Sequence, residues 1–174
     1  MALCLKLILL EYLYEVKVHS YVLMSNHYHL LVETSKENLS GYMRHINANY
    51  AIYFNKKYKR SGHLWQGRFK FWHVTDEAYL YALVAYIEYN PIKAKIISKL
   101  GEYKYSSYLA FSEQKEVISC LKASFVFTMF KDVKERLEFI QYAHDERILD
   151  CKFHNILPPV SQKPSTKKVS ETSS

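Results

Sequence analysis

Cysteine, glycine and proline are scarce in this chain of 174 residues, which contains three, four and four of them. Cys4, Cys120 and Cys151 are odd in number and widely spaced, so they indicate neither a disulfide framework nor a zinc knuckle and fit a reducing cytoplasm. No apolar run reaches the length of a membrane span, because Lys6 and Glu11 interrupt the N-terminal one, and no small-residue cleavage site follows it. We therefore expect no secretory signal and no membrane partner.

Residues 51–73 contain no acidic residue, so the net positive charge of the chain is concentrated in this segment. Six cations in the segment account for nearly all of the net charge of +7: Lys56, Lys57, Lys59, Arg60, Arg68 and Lys70. Eight aromatic residues lie within it or just before it: Tyr50, Tyr53, Phe54, Tyr58, Trp65, Phe69, Phe71 and Trp72. Since cations bind phosphates and flat rings stack on unpaired bases, we expect a nucleic-acid partner.

Hydrophobic periodicity and turn residues predict one fold of the α+β class, with helices packed on an antiparallel sheet. In chain order the predicted elements are a helix over residues 3–15, strands over 18–24 and 27–34, a helix over 38–59, a strand within 64–74, a helix from Thr75-Asp76 that Pro91 closes or kinks, and a helix over 131–149. Residues 1–112 are predicted to form one domain that contains the basic segment, 113–157 a helical extension and 158–174 a disordered tail rich in Pro, Ser, Thr and Lys.

Two histidines, His27 and His29, stand one residue apart at the start of the second predicted strand. Because alternate residues of a strand point to the same face, both imidazoles can reach one divalent metal ion. The other interpretation is that they are two half-buried polar residues of a strand.

The predicted helix before Pro91 places Tyr86 and Asn90 on one face, at i, i+4 spacing. A helical wheel puts both on the flank of an apolar stripe formed by Leu80, Leu83, Val84 and Ile87, so they can lean toward the sheet. The same wheel points Tyr89 roughly opposite the stripe.

Three stretches in this order resemble one known family: residues 21–32, residues 62–70, and residues 86–91 with Ala94. The family is that of the REP-associated tyrosine transposases, which are HUH endonucleases, and the resemblance covers roughly residues 3–111. It implies a ferredoxin-like core in which a strand precedes the first helix. That first strand is absent here, so the start is misassigned, the chain is a remnant, or another segment fills the gap.

The resemblance also implies the chemistry. His27 and His29 match the metal-binding histidines, with Mg²⁺ or Mn²⁺ as the expected ion. Asn90 matches the third ligand, although asparagine is also common near the end of a helix. Tyr86 matches the nucleophile that forms a 5′-phosphotyrosine with DNA.

The expected partner is single-stranded or hairpin DNA of the REP type, and a homodimer is one option for assembly. The residues predicted to contact DNA are Lys56, Lys57, Lys59, Arg60, His63, Trp65, Gln66, Arg68 and Lys70. Two alternatives stay open. One is a catalytically silent DNA-binding remnant, and the other is a cupin-like metalloenzyme that uses His27, His29 and Glu33, which the four glycines and long helical patterns disfavour.

Overall fold

The computed structural model describes residues 10, 12–75, 77–112, 119–122 and 124–145, with the backbone alone at 77, 78 and 119. Its elements are β1 (Val16–Leu23), β2 (Tyr28–Thr34), α1 (Leu39–Lys57), α2 (Glu77–Lys93), α3 (Tyr108–Ser112), a 3₁₀ turn (Ser119–Leu121), α4 (Val126–Met129) and α5 (Val133–Asp145). The predicted α+β class is confirmed.

β1 and β2 form an antiparallel hairpin, close to the two strands predicted over residues 18–24 and 27–34. The turn between them is closed by a hydrogen bond from the Met24 N–H to the His27 carbonyl, 2.8 Å long. Val22 lies opposite His29, and the register shifts between Val18 and Ser20. The hairpin register therefore brings His29 to the same end of the sheet as the turn that carries His27.

The two faces of the hairpin are covered by different helices. On one face, Tyr42, Met43 and Ile46 of α1 pack with Val16 of β1. On the other face, Val84 and Ile87 of α2 pack with Val22 and Leu31. Because alternate strand residues point to opposite faces, His29 shares the face of Leu31 and is turned toward α2.

A short segment fills the free edge of β1. The Leu23 N–H bonds to the Tyr105 carbonyl and the Ser107 N–H to the Tyr21 carbonyl, both at 2.9 Å. The Ser107 hydroxyl also accepts from the Tyr21 N–H at 3.0 Å. Within the described residues this is the one addition to the two-stranded sheet, and the other edge of β2 has no paired strand.

The strand predicted within residues 64–74 is wrong, because these residues have no regular secondary structure. A strand is stable only when its backbone groups pair with a neighbour, and the described residues offer this segment none. Side chains hold it instead. Trp65 Nε1 donates to the Asn47 carbonyl at 2.9 Å, and Phe69 packs against the core cluster under α1.

The helix carrying Tyr86 runs through Pro91 and ends at Lys93, so Pro91 lies in the last turn rather than closing the helix before it. The left-handed backbone of Lys95, with φ of 57°, follows this end. The cap predicted at Thr75-Asp76 lies partly outside the described residues.

The remaining predicted helices agree with the structure where it describes them. Residues 10 and 12–14 are helical, and Glu15, with φ of 52°, ends this turn directly before β1. The rest of the helix predicted over residues 3–15 lies outside the described residues. α1 and α5 correspond to the helices predicted over 38–59 and 131–149, and residues 146–149 are not described.

The C-terminal segment packs on the same core. Arg136 of α5 and Glu88 of α2 form a buried ion pair, in which Arg136 Nη2 donates to Glu88 Oε1. Ser124 Oγ donates to the His19 carbonyl of β1 at 2.9 Å. The division into a domain at 1–112, an extension at 113–157 and a tail at 158–174 stays a prediction. No helix of the described residues is long and apolar enough to cross a membrane.

Candidate functional site

His27 and His29 lie side by side, as their spacing predicted. Their ring centroids are 5.1 Å apart with the ring planes at 86°. His27 is exposed in the hairpin turn, whereas His29 is half-buried in β2. The pair therefore presents two imidazoles at the rim of the sheet, one open to solvent and one against α2.

The surroundings of His29 keep its ring neutral. Its pKa is lowered to about 4, mainly by burial and also by the neighbouring His27, while a hydrogen bond with Asn90 raises it. At neutral pH the ring therefore has a nitrogen lone pair, which is the form that binds metal ions.

A second hydrogen bond orients His27. Its Nδ1 lies 2.7 Å from Asn26 Oδ1. An amide oxygen can only accept, so Nδ1 is the donor, and in the neutral ring Nε2 keeps its lone pair. This is the usual arrangement of a metal-ligating histidine, whose other nitrogen donates to a neighbouring group.

Tyr86 reaches the histidines from α2. Its ring centroid is 5.4 Å from that of His29, in an edge-on contact. One helical turn later, Asn90 is buried and its Nδ2 donates to the Tyr86 carbonyl at 3.1 Å. The structure thus brings together the four residues predicted for chemistry: His27, His29, Tyr86 and Asn90.

Tyr89, the rival nucleophile, lies on another side of α2. Its ring centroid is 4.5 Å from that of His144 of α5, and it packs in the cluster that joins α2 to α5. This agrees with the helical wheel, which pointed Tyr89 away from the histidines.

His27, His29 and Asn90 offer donor atoms that suit a divalent cation. The described residues contain no group of three or more His, Cys, Asp and Glu side chains that could hold a metal. The set here is two imidazoles and the amide of Asn90. Mg²⁺ prefers ligands that are all oxygen, whereas imidazole favours transition metals, so Mn²⁺ fits this set better than Mg²⁺.

Comparison with known protein families gives one match. Residues 6–90 match the family model described as "Transposase IS200 like". This region belongs to the IS200-like transposase family. The match confirms the family predicted from the three sequence stretches and supports a transposase-like function acting on DNA. No curated protein and no solved structure matches the chain.

The cupin-like alternative does not fit the structure. Glu33 is engaged by Lys17 at 2.7 Å and by His19 at 3.1 Å. It lies four residues beyond His29 in β2, which is about 13 Å along a strand. Glu33 therefore cannot share an ion with His27 and His29.

The IS200-like region also carries the basic segment, and all six of its cations are exposed. Within the described part of the chain, no carboxylate forms an ion pair with them. Lys57 Nζ lies 5.2 Å from the ring centroid of Tyr58, and the Arg60 guanidinium lies 5.6 Å from that of Phe54. Such cations and rings can contact phosphates and bases together.

One groove joins part of this segment to the histidines. Of the predicted DNA contacts, Lys57, Trp65, Gln66, Arg68 and Lys70 line the groove that also contains His27, His29 and Tyr86. Lys56, Lys59, Arg60 and His63 are exposed but are not in its lining. Trp65 is half-buried, with its ring edge-on to that of Tyr28 at 5.7 Å, so it anchors the segment on β2.

Sequence reasoning missed Lys93 at this site. Its Nζ lies 5.8 Å from the ring centroid of Tyr86, which places a cation beside the predicted nucleophile. The spacing of seven residues, two helical turns, was the available signal, because residues at i and i+7 share a helix face.

Proposed function

We propose that this chain is a metal-dependent endonuclease and strand transferase for single-stranded hairpin DNA of the REP type, with Tyr86 as nucleophile. The observation that carries the proposal is the contact of Tyr86 with His29, 5.4 Å between ring centroids, beside His27 and Asn90. Membership of the IS200-like family supports the same chemistry.

In the proposed reaction the Tyr86 hydroxyl attacks a DNA phosphorus atom. A bond forms between Tyr86 Oη and phosphorus, and the bond from phosphorus to the 3′ oxygen of the preceding nucleotide breaks. The phenol gives up its proton, and the departing 3′ oxygen gains one to become a hydroxyl. The DNA 5′ end stays attached as a phosphotyrosine, so attack by another 3′ hydroxyl can rejoin it.

The neighbouring side chains have distinct parts in this reaction. His27, His29 and Asn90 would hold a divalent ion, which when bound neutralises negative charge on the scissile phosphate. The Lys93 ammonium lies beside the nucleophile, where it attracts the phosphate and stabilises the charge that builds up on its oxygens. The exposed cations of the groove position the strand without reading its sequence.

A DNA-binding protein without cleavage activity is the second candidate. It is favoured by the sheet, which has only two strands in the described residues where a ferredoxin-like core has more. This candidate predicts hairpin binding through the basic segment with no covalent product.

The test is incubation with a labelled single-stranded hairpin in the presence of Mn²⁺ or Mg²⁺, followed by denaturing electrophoresis. We expect a labelled covalent adduct that requires the ion, more with Mn²⁺ than with Mg²⁺. Tyr86→Phe should abolish the adduct, and Tyr89→Phe, the matched control on another side of α2, should keep it. Binding without any adduct in the wild type would favour the silent protein, and an adduct that survives Tyr86→Phe would assign the nucleophile to another tyrosine.

A further inference from the structure

Two large rings of the segment 64–75 are exposed next to each other. Phe71 is 65% exposed and Trp72 is 42% exposed. Contiguous exposed apolar groups often mark a binding site, and these two rings are neighbours in the chain.

The segment holds these rings in place although it has no regular secondary structure. Trp65 is fixed by its hydrogen bond to the Asn47 carbonyl. Phe69 packs in the core under α1, and its ring centroid is 6.0 Å from that of Phe71. The two anchors lie only a few residues before Phe71 and Trp72, so the exposed rings start from an ordered position.

The surroundings favour an anionic partner. Arg68 and Lys70 are exposed in the same segment, and residues 51–73 contain six cations and no acid. Phe71 and Trp72 line the groove that also contains His29 and Tyr86. Tyr86 and the two rings therefore border one groove, which is open to a bound strand.

We propose that Phe71 and Trp72 form a stacking platform for unpaired bases of the DNA strand that leads to Tyr86. This platform rests on the proposed function, and it adds a contact that selects for single-stranded DNA. The faces of bases in a duplex are occupied by their neighbours, whereas unpaired bases can stack on a protein ring.

The chain is suited to a direct optical test because it contains only two tryptophans, Trp65 and Trp72. Trp65→Phe leaves Trp72 as the single indole emitter. Without added metal, titration with single-stranded oligothymidylate should quench this emission in a saturable manner, and a duplex of the same length should not. The ¹⁹F spectrum of the wild-type chain labelled with 5-fluorotryptophan gives a second measurement that keeps the Trp65 anchor. The spectrum of Trp65→Phe identifies the Trp72 signal, which should shift on binding.

Affinity measurements test the same platform by substitution. Trp72→Ala and Phe71→Ala should each weaken binding of oligothymidylate about 5- to 160-fold, the change expected for loss of one base–ring stack. Tyr142→Ala is the matched control, since Tyr142 is 55% exposed on α5 and is not in the lining of the groove. This control should bind as the wild type does.

The results separate the platform from the proposed function. An unchanged Trp72 signal on binding, an equal signal change with duplex, or unchanged affinity in both alanine variants would overturn the platform, even if Tyr86 forms an adduct. Selective quenching by single strands would support the platform even if the wild type forms no adduct, in which case the proposed cleavage alone would fail.

Discussion

Removing the cation of Arg136 is expected to destabilise the protein by an amount that depends on pH. Glu88 and Arg136 pair between α2 and α5, with 0% and 4% of their side chains exposed. The guanidinium also lies over the rings of Tyr108 and Phe111, 5.4 and 4.7 Å from their centroids. Arg136→Met keeps a long apolar side chain against these rings but leaves Glu88 buried without its partner.

The pH dependence follows from the carboxyl of Glu88. Burial raises its pKa from 4.5 to about 7, against Arg136, which lowers it. The folded protein therefore holds this proton more tightly than the unfolded chain, and the free energy of unfolding falls as the pH rises from 4.5 to 7. Without Arg136 the pKa of Glu88 rises further, so the fall continues above pH 7 by about 1.4 kcal/mol per pH unit.

The expected magnitudes differ between acid and alkaline conditions. At pH 5 Glu88 is protonated in the folded state with or without Arg136, so Arg136→Met should lose about 1 kcal/mol through missing contacts. At pH 8 the loss should reach about 2.4 kcal/mol, of which about 1 comes from the contacts and about 1.4 from the pH unit above 7. The melting temperature at pH 8 should fall by about 5–10 °C.

Urea denaturation followed by circular dichroism at the two pH values would measure these losses. The control is Glu88→Met combined with Arg136→Met, which removes both charges and should recover most of the stability at pH 8. Equal losses for Arg136→Met at pH 5 and pH 8 would show that the side chain acts through packing alone and would refute the reasoning.

Two further predictions concern DNA. Replacing Arg68 and Lys70 by glutamine should weaken hairpin binding. The slope of log affinity against log salt concentration should become flatter by about 0.7 for each lost phosphate contact. An unchanged slope in salt titrations would show that neither residue contacts DNA. His27→Ala should abolish adduct formation in the gel assay while hairpin affinity, measured by anisotropy, stays near that of the wild type, because many cations share the positioning of phosphates; cleavage at the original rate would exclude His27 as a ligand.

The local parts of the fold were predictable because they depend on local patterns. Two apolar segments joined by a short turn predicted the hairpin, and the two-residue period of a strand placed His27 and His29 together. The helical period of 3.6 residues separated Tyr86 from Tyr89 correctly, since the direction of a side chain on a helix follows from its position alone.

Contacts between distant segments were not predictable in the same way. The strand expected within residues 64–74 failed because a strand requires a partner, and propensity does not report whether one exists. The pairing of Ser107 with Tyr21 and of Arg136 with Glu88 joins residues far apart in sequence, for which a single chain gives no signal. The position of Lys93 beside Tyr86 was predictable, because it follows from their helical spacing, but it was missed.

The buried pair of Glu88 and Arg136 also fixes the rotation of α2 about its own axis. An α-helix turns 100° per residue, so Glu88, two residues after Tyr86 and two before Asn90, points about 200° away from each of them. Its attachment to α5 therefore prevents α2 from rolling about its own axis, and a roll would carry Tyr86 and Asn90 away from His29. The orientation of the proposed nucleophile thus depends on a helix at 133–145, outside residues 6–90, which match the family model.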